Sequence, residues 1–111
     1  MRNLNLVPLN GLRAVEAVGR LGSLKAAAVE LGVTVGAVSQ QIQKVEQQLG
    51  SEIFIRHPKG LVVNCVGELM MPHLTAGMAE LSMSLARATE SRNNTLVVSV
   101  APVFAPKWLV W

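Results

Sequence analysis

Apolar residues recur at helical spacing through the first half of the chain. Leu12, Val15 and Val18 fall on one face of a first helix, with Arg13, Glu16 and Arg20 turned elsewhere. Pro8 suits the start of that helix, because its missing N–H would find no partner there anyway. Gly19 and Gly22 bracket the exit. Ser23 is the expected N-cap of a short helix from Leu24 to Leu31. Ala26, Ala27 and Ala28 give it a thin face that admits a second helix closely. Gly32 is the expected stop, and Thr34 the cap of a third helix running to Leu49. There Val38, Ile42, Val45 and Leu49 make a single apolar stripe, and Gly50 ends it. Two helices joined by Gly32-Val33-Thr34 have the length and chemistry of a helix-turn-helix.

The period then shortens. Ile53 to Arg56 reads as a strand, His57-Pro58-Lys59-Gly60 as a turn, and Leu61-Val62-Val63 as the returning strand. Asn64 should cap a long fourth helix, about Cys65 to Ser91, weakened or kinked at Pro72. Met70, Leu74, Gly77, Leu81, Ser84 and Ala88 alternate by four and three along it. One side of an ordinary core is the competing reading. The stripe outlasts what a small domain needs, however, so a dimerisation surface of Met70, Leu74, Gly77, Met78, Leu81, Leu85 and Ala88 is expected. Arg92-Asn93-Asn94-Thr95 is expected as a polar hinge and Leu96 to Ala101 as a buried strand. That strand has no sheet to join before Trp111, so the chain reads as cut off at the start of another domain. The expected architecture is mainly α. A winged helix-turn-helix (three helices plus a two-stranded wing) over 1–64 leads into a linker helix over 65–91, with residues 92–111 opening the next domain.

Composition fits this picture. Hydrophobic residues make up 50% of the chain and aromatic ones only 4%, which favours an aliphatic, helical core. The net charge of +3 agrees with a polyanionic partner. All of it sits in residues 1–64, where Arg2, Arg13, Arg20, Lys25, Lys44, Arg56 and Lys59 outnumber Glu16, Glu30, Glu46 and Glu52. A single cysteine, Cys65, leaves no internal disulfide framework. With no segment of membrane-spanning length, a cytoplasmic, nucleoid-associated protein without a membrane partner is expected. Cys65, His57 and His73 form no acid, base and nucleophile set and have no metal-ligand spacing. Neither an enzyme nor a metal site is expected, and no cofactor in this chain.

The third helix carries chemistry on the side opposite its stripe. Gly36, Gln40, Gln43 and Gln47 lie there, flanked by Ser39 and Lys44. Glutamine pairs bidentately with adenine, serine donates or accepts, and lysine suits phosphate or guanine. Gly36 lets the backbone approach a base or phosphate closely. A merely solvated face, including Gln41 and Gln48, is the bland alternative. Arg56, His57, Lys59 and Gly60 form the wing tip, suited to a minor groove or a phosphate, or else an ordinary charged turn. Ser23 and Lys25 stand where a helix start could hold the DNA backbone.

Leu12 to Val18, Gly22 to Leu31, Val33 to Ile42 and Val45 to Gly50, followed by Ile53 to Arg56 and Val63 to His73, closely resemble the N-terminal region of LysR-type transcriptional regulators. Thr95 to Val110 resembles the start of that family's effector domain, in the style of its glycine-cleavage-activator branch. The resemblance implies a winged helix-turn-helix and a linker helix that pairs with a second subunit. It also implies a further domain that would sense a small molecule. By position, base and phosphate contacts fall on Thr34, Val35, Gly36, Ser39 and Gln40, and wing contacts on Arg56 and Lys59. The implied partners are double-stranded DNA and a second copy of the chain, assembling as a dimer or higher oligomer. Many members have Gln-Pro in place of Val35-Gly36 and Arg in place of Gln40. Readout is therefore expected to lean on Ser39, Gln40, a Val35 contact to a thymine methyl, and DNA shape.

Overall fold

Local capping chemistry sets the helix boundaries. Pro8 opens α1 (Leu9–Leu21), and Gly22 closes it in the left-handed conformation at φ 70°. Ser23 Oγ accepts the Ala26 N–H at the start of α2 (Leu24–Leu31). Thr34 Oγ1 accepts the Ala37 N–H at the start of α3 (Val35–Leu49). The wing is β1 (Phe54–His57) and β2 (Gly60–Val63), antiparallel, with Phe54 opposite Val63 and Arg56 opposite Leu61. Asn64 Oδ1 accepts the Gly67 N–H at the start of α4 (Cys65–Val98). A short 3-10 turn, Arg2–Asn5, precedes α1. This computed structural model describes residues 2–98, with side chains through Arg92.

The chain divides into two units, with the boundary inside α4 between Met78 and Ala79. In the first, Val15, Val18, Val38, Val45 and Ile53 are wholly buried. Ala14, Ala17, Ala27 and Ala28 fill the spaces between the helices. Burying side chains of this size stabilises by about 1.5–3 kcal/mol each. The helices cross closely where side chains are small. A Cβ on Gly11 would stand 2.5 Å from Val45 Cγ2, so α1 can lie this near α3 only with glycine there.

Four expectations change. Glu16, expected away from the apolar face, is nonetheless buried, at 5% exposure. Its carboxylate accepts Arg20 Nε at 2.8 Å and Arg20 Nη2 at 3.0 Å, and Thr75 Oγ1 from α4 at 3.1 Å. The paired guanidinium holds Glu16 below its ordinary pKa, against the opposite pull of burial. Arg20 also bonds Glu30, tying α1 to α2. Leu49 leaves the stripe for solvent, because the last turn of α3 runs past the edge of the core. The first strand sits one residue later than expected, since Ile53 is drawn into the core instead of the ladder, and the second starts one residue earlier, at Gly60 opposite His57. Finally, α4 passes through Pro72 and continues to Val98. The expected hinge at 92–95 and the first part of the expected strand, 96–98, are therefore helical. No glycine or proline interrupts 79–98, and extending a formed helix costs far less than starting one. The rest of that strand, 99–101, and the expected start of a further domain at 102–111 lie outside the described residues.

In the second unit every side chain from Ala79 to Arg92 is exposed. Among the described residues, no helix is long and apolar enough to cross a membrane.

Candidate nucleic-acid interface

The period of α3 places its two faces as expected. Val38, Ile42 and Val45 are buried, while Gly36, Gln40, Gln43, Lys44 and Gln47 are exposed and Ser39 is half-buried. Gln41 departs from the glutamine face. It turns toward α1, where it lines a small cleft with Asn10, Arg13 and Ala14. Thr34 and Val35 stand exposed at the start of the helix. An α-helix leaves its first N–H groups without internal partners, and the Thr34 side chain takes that of Ala37. The positive end of the helix dipole adds to the attraction for an anion there.

Ser39, Gln43 and Arg56 line one open groove of about 380 Å³ between α3 and β1. The apolar part of its wall comes from Leu24, Ile42, Phe54, Ile55 and Leu61, and Glu46 and Glu52 border it. A helix face that can read bases and a cation that can hold a phosphate thus share one opening. Arg56, His57 and Lys59 are all exposed on the wing. His57 has an internal task as well, since its Nδ1 accepts the Lys59 N–H at 3.2 Å and stiffens the turn. Lys25 is exposed in the first turn of α2, beside Ser23, whose hydroxyl oxygen is engaged as the N-cap.

The wing is docked at its tip end. The Leu61 N–H donates to Gly22 O at 3.3 Å, and a Cβ on Gly60 would collide with that oxygen. Gly60, at φ 137°, takes a backbone conformation that other residues rarely adopt. The Ser23–Lys25 corner and the Arg56–Lys59 tip are thereby held together. Neither this contact nor the carboxylate of Glu46, described below, has a signature in the spacing of the chain.

Gly36 has no such internal reason. A Cβ there would meet only Thr34 Oγ1 at 4.0 Å, and its φ is not positive. Gly36→Ala should therefore raise the unfolding free energy by about 0.5–1 kcal/mol, measured by urea titration. A loss of stability would mean that the fold itself demands this glycine.

On the dimer side the assignment splits. Met70 and Leu74 are half-buried against the core of their own domain, so they do not belong wholly to a partner surface. Met78 is half-buried, while Gly77, Leu81, Leu85 and Ala88 are exposed.

A capped helix-turn-helix followed by a docked two-stranded hairpin defines a winged helix-turn-helix domain. Residues 9–68 match the family described as bacterial regulatory helix-turn-helix protein, lysR family. The chain belongs to that family. It is 41% identical over 105 residues to the HTH-type transcriptional activator AmpR of Providencia stuartii, covering 94% of this chain and 36% of that protein. The chain thus spans little more than a third of the length of such relatives. Its fold resembles that of the probable transcriptional regulator PA0477 from Pseudomonas aeruginosa, with a TM-score of 0.72 and 25% identity over 77% of this chain and 28% of that one. It also resembles the protein of the CbnR DBD–DNA complex, with a TM-score of 0.63 and 22% identity over 78% of this chain and 99% of that one.

Proposed function

We propose that this chain is the DNA-reading part of a transcription regulator, with α3 in the major groove and the wing on the backbone or minor groove. One observation carries the reading: Ser39 and Gln43 of α3 open onto the same groove as Arg56 of the wing. The likeness to a domain described in complex with DNA supports it. Ser39, Gln40 and Gln43 contact bases. Thr34, Val35, Gly36 and Lys44 flank them, and Ser23, Lys25, Arg56, His57 and Lys59 hold the backbone. The protein works as a homodimer through Gly77, Leu81, Leu85 and Ala88 of α4, because one reader helix needs a second to recognise a two-part site. It is a cytoplasmic regulator and not an enzyme. A small-molecule effector, with any tetramer contacts, is assigned to the length such relatives have beyond this region.

Arg56→Ala tests the wing. Each phosphate contact contributes about 0.9 to the slope of log affinity against log salt. The variant should bind every duplex more weakly, with a slope smaller by about one unit. Unchanged affinity and slope would remove Arg56 from the interface.

A further inference from the structure

We propose that Glu46 is a positioning residue for DNA binding, holding the wing where Arg56 reaches the duplex that α3 reads. The proposal rests on the DNA-binding reading above and deepens it. Glu46 lies in the last part of α3, half-buried, between the buried stripe and the reading face. Its Oε2 accepts the Ile53 N–H at 2.9 Å. Its backbone oxygen accepts the N–H of Gly50 at 2.9 Å and of Ser51 at 3.1 Å. One residue therefore grips both ends of the connection from α3 to the wing.

The root of the wing is held from the other side too. Ile53 O accepts the Asn64 N–H at 2.8 Å, and Asn64 Nδ2 donates to Glu52 O at 2.8 Å. The two strands are thus pinned together where they begin and end. Farther out, Leu61 is pinned to Gly22. Between these fixed points, the carboxylate of Glu46 ties the wing root to the reader helix by a hydrogen bond. Arg56 follows Ile53 by three residues, about 10 Å along an extended strand. A small tilt at the root therefore moves the guanidinium by ångströms.

Charge alone predicts the opposite sign. Glu46 borders the groove that Ser39, Gln43 and Arg56 share, and a carboxylate beside a polyanion opposes binding. If repulsion were its only effect, removing it would tighten the complex. The positioning role requires that removal of the acceptor weaken the complex.

The test uses the full chain and a duplex recovered from random DNA by selection. Affinity is measured against salt for the parent, Glu46→Gln, Glu46→Asp and Glu46→Ala, at a temperature where melting curves show each to be folded. Glu46→Gln keeps an oxygen at the same reach, so it should bind as well as the parent or more tightly, with the same slope. Glu46→Asp keeps the charge but falls short of Ile53. It should bind about tenfold more weakly, with a slope smaller by about one, as should Glu46→Ala. Should Glu46→Ala fail to fold, the Gln and Asp variants decide between them. Lower melting temperatures for Asp and Ala with an unchanged slope would show a purely structural role and overturn the proposal. Tighter binding by Glu46→Ala would overturn it equally. A parent that binds without salt dependence would instead bring down the DNA-binding reading on which it rests.

Discussion

Ile53→Ala should lower the unfolding free energy by about 2–5 kcal/mol, the usual cost of emptying a fully buried isoleucine site. Ile53 shows no exposed surface and belongs to the core that joins α1, α2 and α3. Both its backbone groups are fixed, the N–H by Glu46 and the carbonyl by Asn64. A small domain has only about 5–15 kcal/mol in total, so the loss is a large fraction of it. The melting temperature should fall by about 8 °C or more, at about 4–8 °C per kcal/mol. Ile55→Ala is the contrast. It lies two residues along at 52% exposure and should change stability by less than about 0.5 kcal/mol. Equal losses at the two positions in urea titrations would contradict the placement of the wing root.

Leu81→Asp should turn dimers into monomers. Leu81 and Leu85 are 48% and 70% exposed on a stretch of α4 whose side chains all face solvent in the single chain. Helices in water draw most of their stability from burying an apolar face. In the proposed dimer a second copy would supply that burial along Gly77, Leu81, Leu85 and Ala88. The substitution would place a carboxylate from each copy in the seam, and removing such charges from water costs several kcal/mol per ion. The dimer dissociation constant should rise at least a hundredfold, about 2.7 kcal/mol. Sedimentation velocity reads this directly. Met83→Asp, two residues away and off the seam, should leave the dimer intact. A dimer that survives Leu81→Asp would refute the assignment of this stripe.

Much of the fold was legible because its determinants are local. Ser23, Thr34 and Asn64 each cap a helix with their own side chain, and Gly22, Gly32 and Gly50 each stop one. The buried stripe of Val38, Ile42 and Val45 and the exposed glutamines opposite follow from a period of 3.6 residues alone. What escaped depends on partners distant along the chain. The burial of Glu16 requires Thr75, fifty-nine positions later, as well as Arg20. The one-residue shift of β1 follows from the capture of Ile53 by the core. The wing is aimed by Glu46 and by the contact of Gly60 with Gly22, and no periodicity encodes either. Met70 and Leu74 share the heptad spacing of Leu81, yet the domain itself covers them in part. Spacing alone does not tell an internal partner from an external one. For the same reason the glutamine face was visible in the sequence, but its shared groove with Arg56 was not.

Joint reading of duplex DNA by α3 and the wing is what most needs a direct test. Selection from random duplexes, with the enriched pool sequenced and its affinity measured at two salt concentrations, tests it most directly. The enriched pool should hold two related half-sites with defined base preferences, bound with an affinity that falls steeply as salt rises. A pool without enriched sequence, bound no less tightly at high salt than at low, would contradict it.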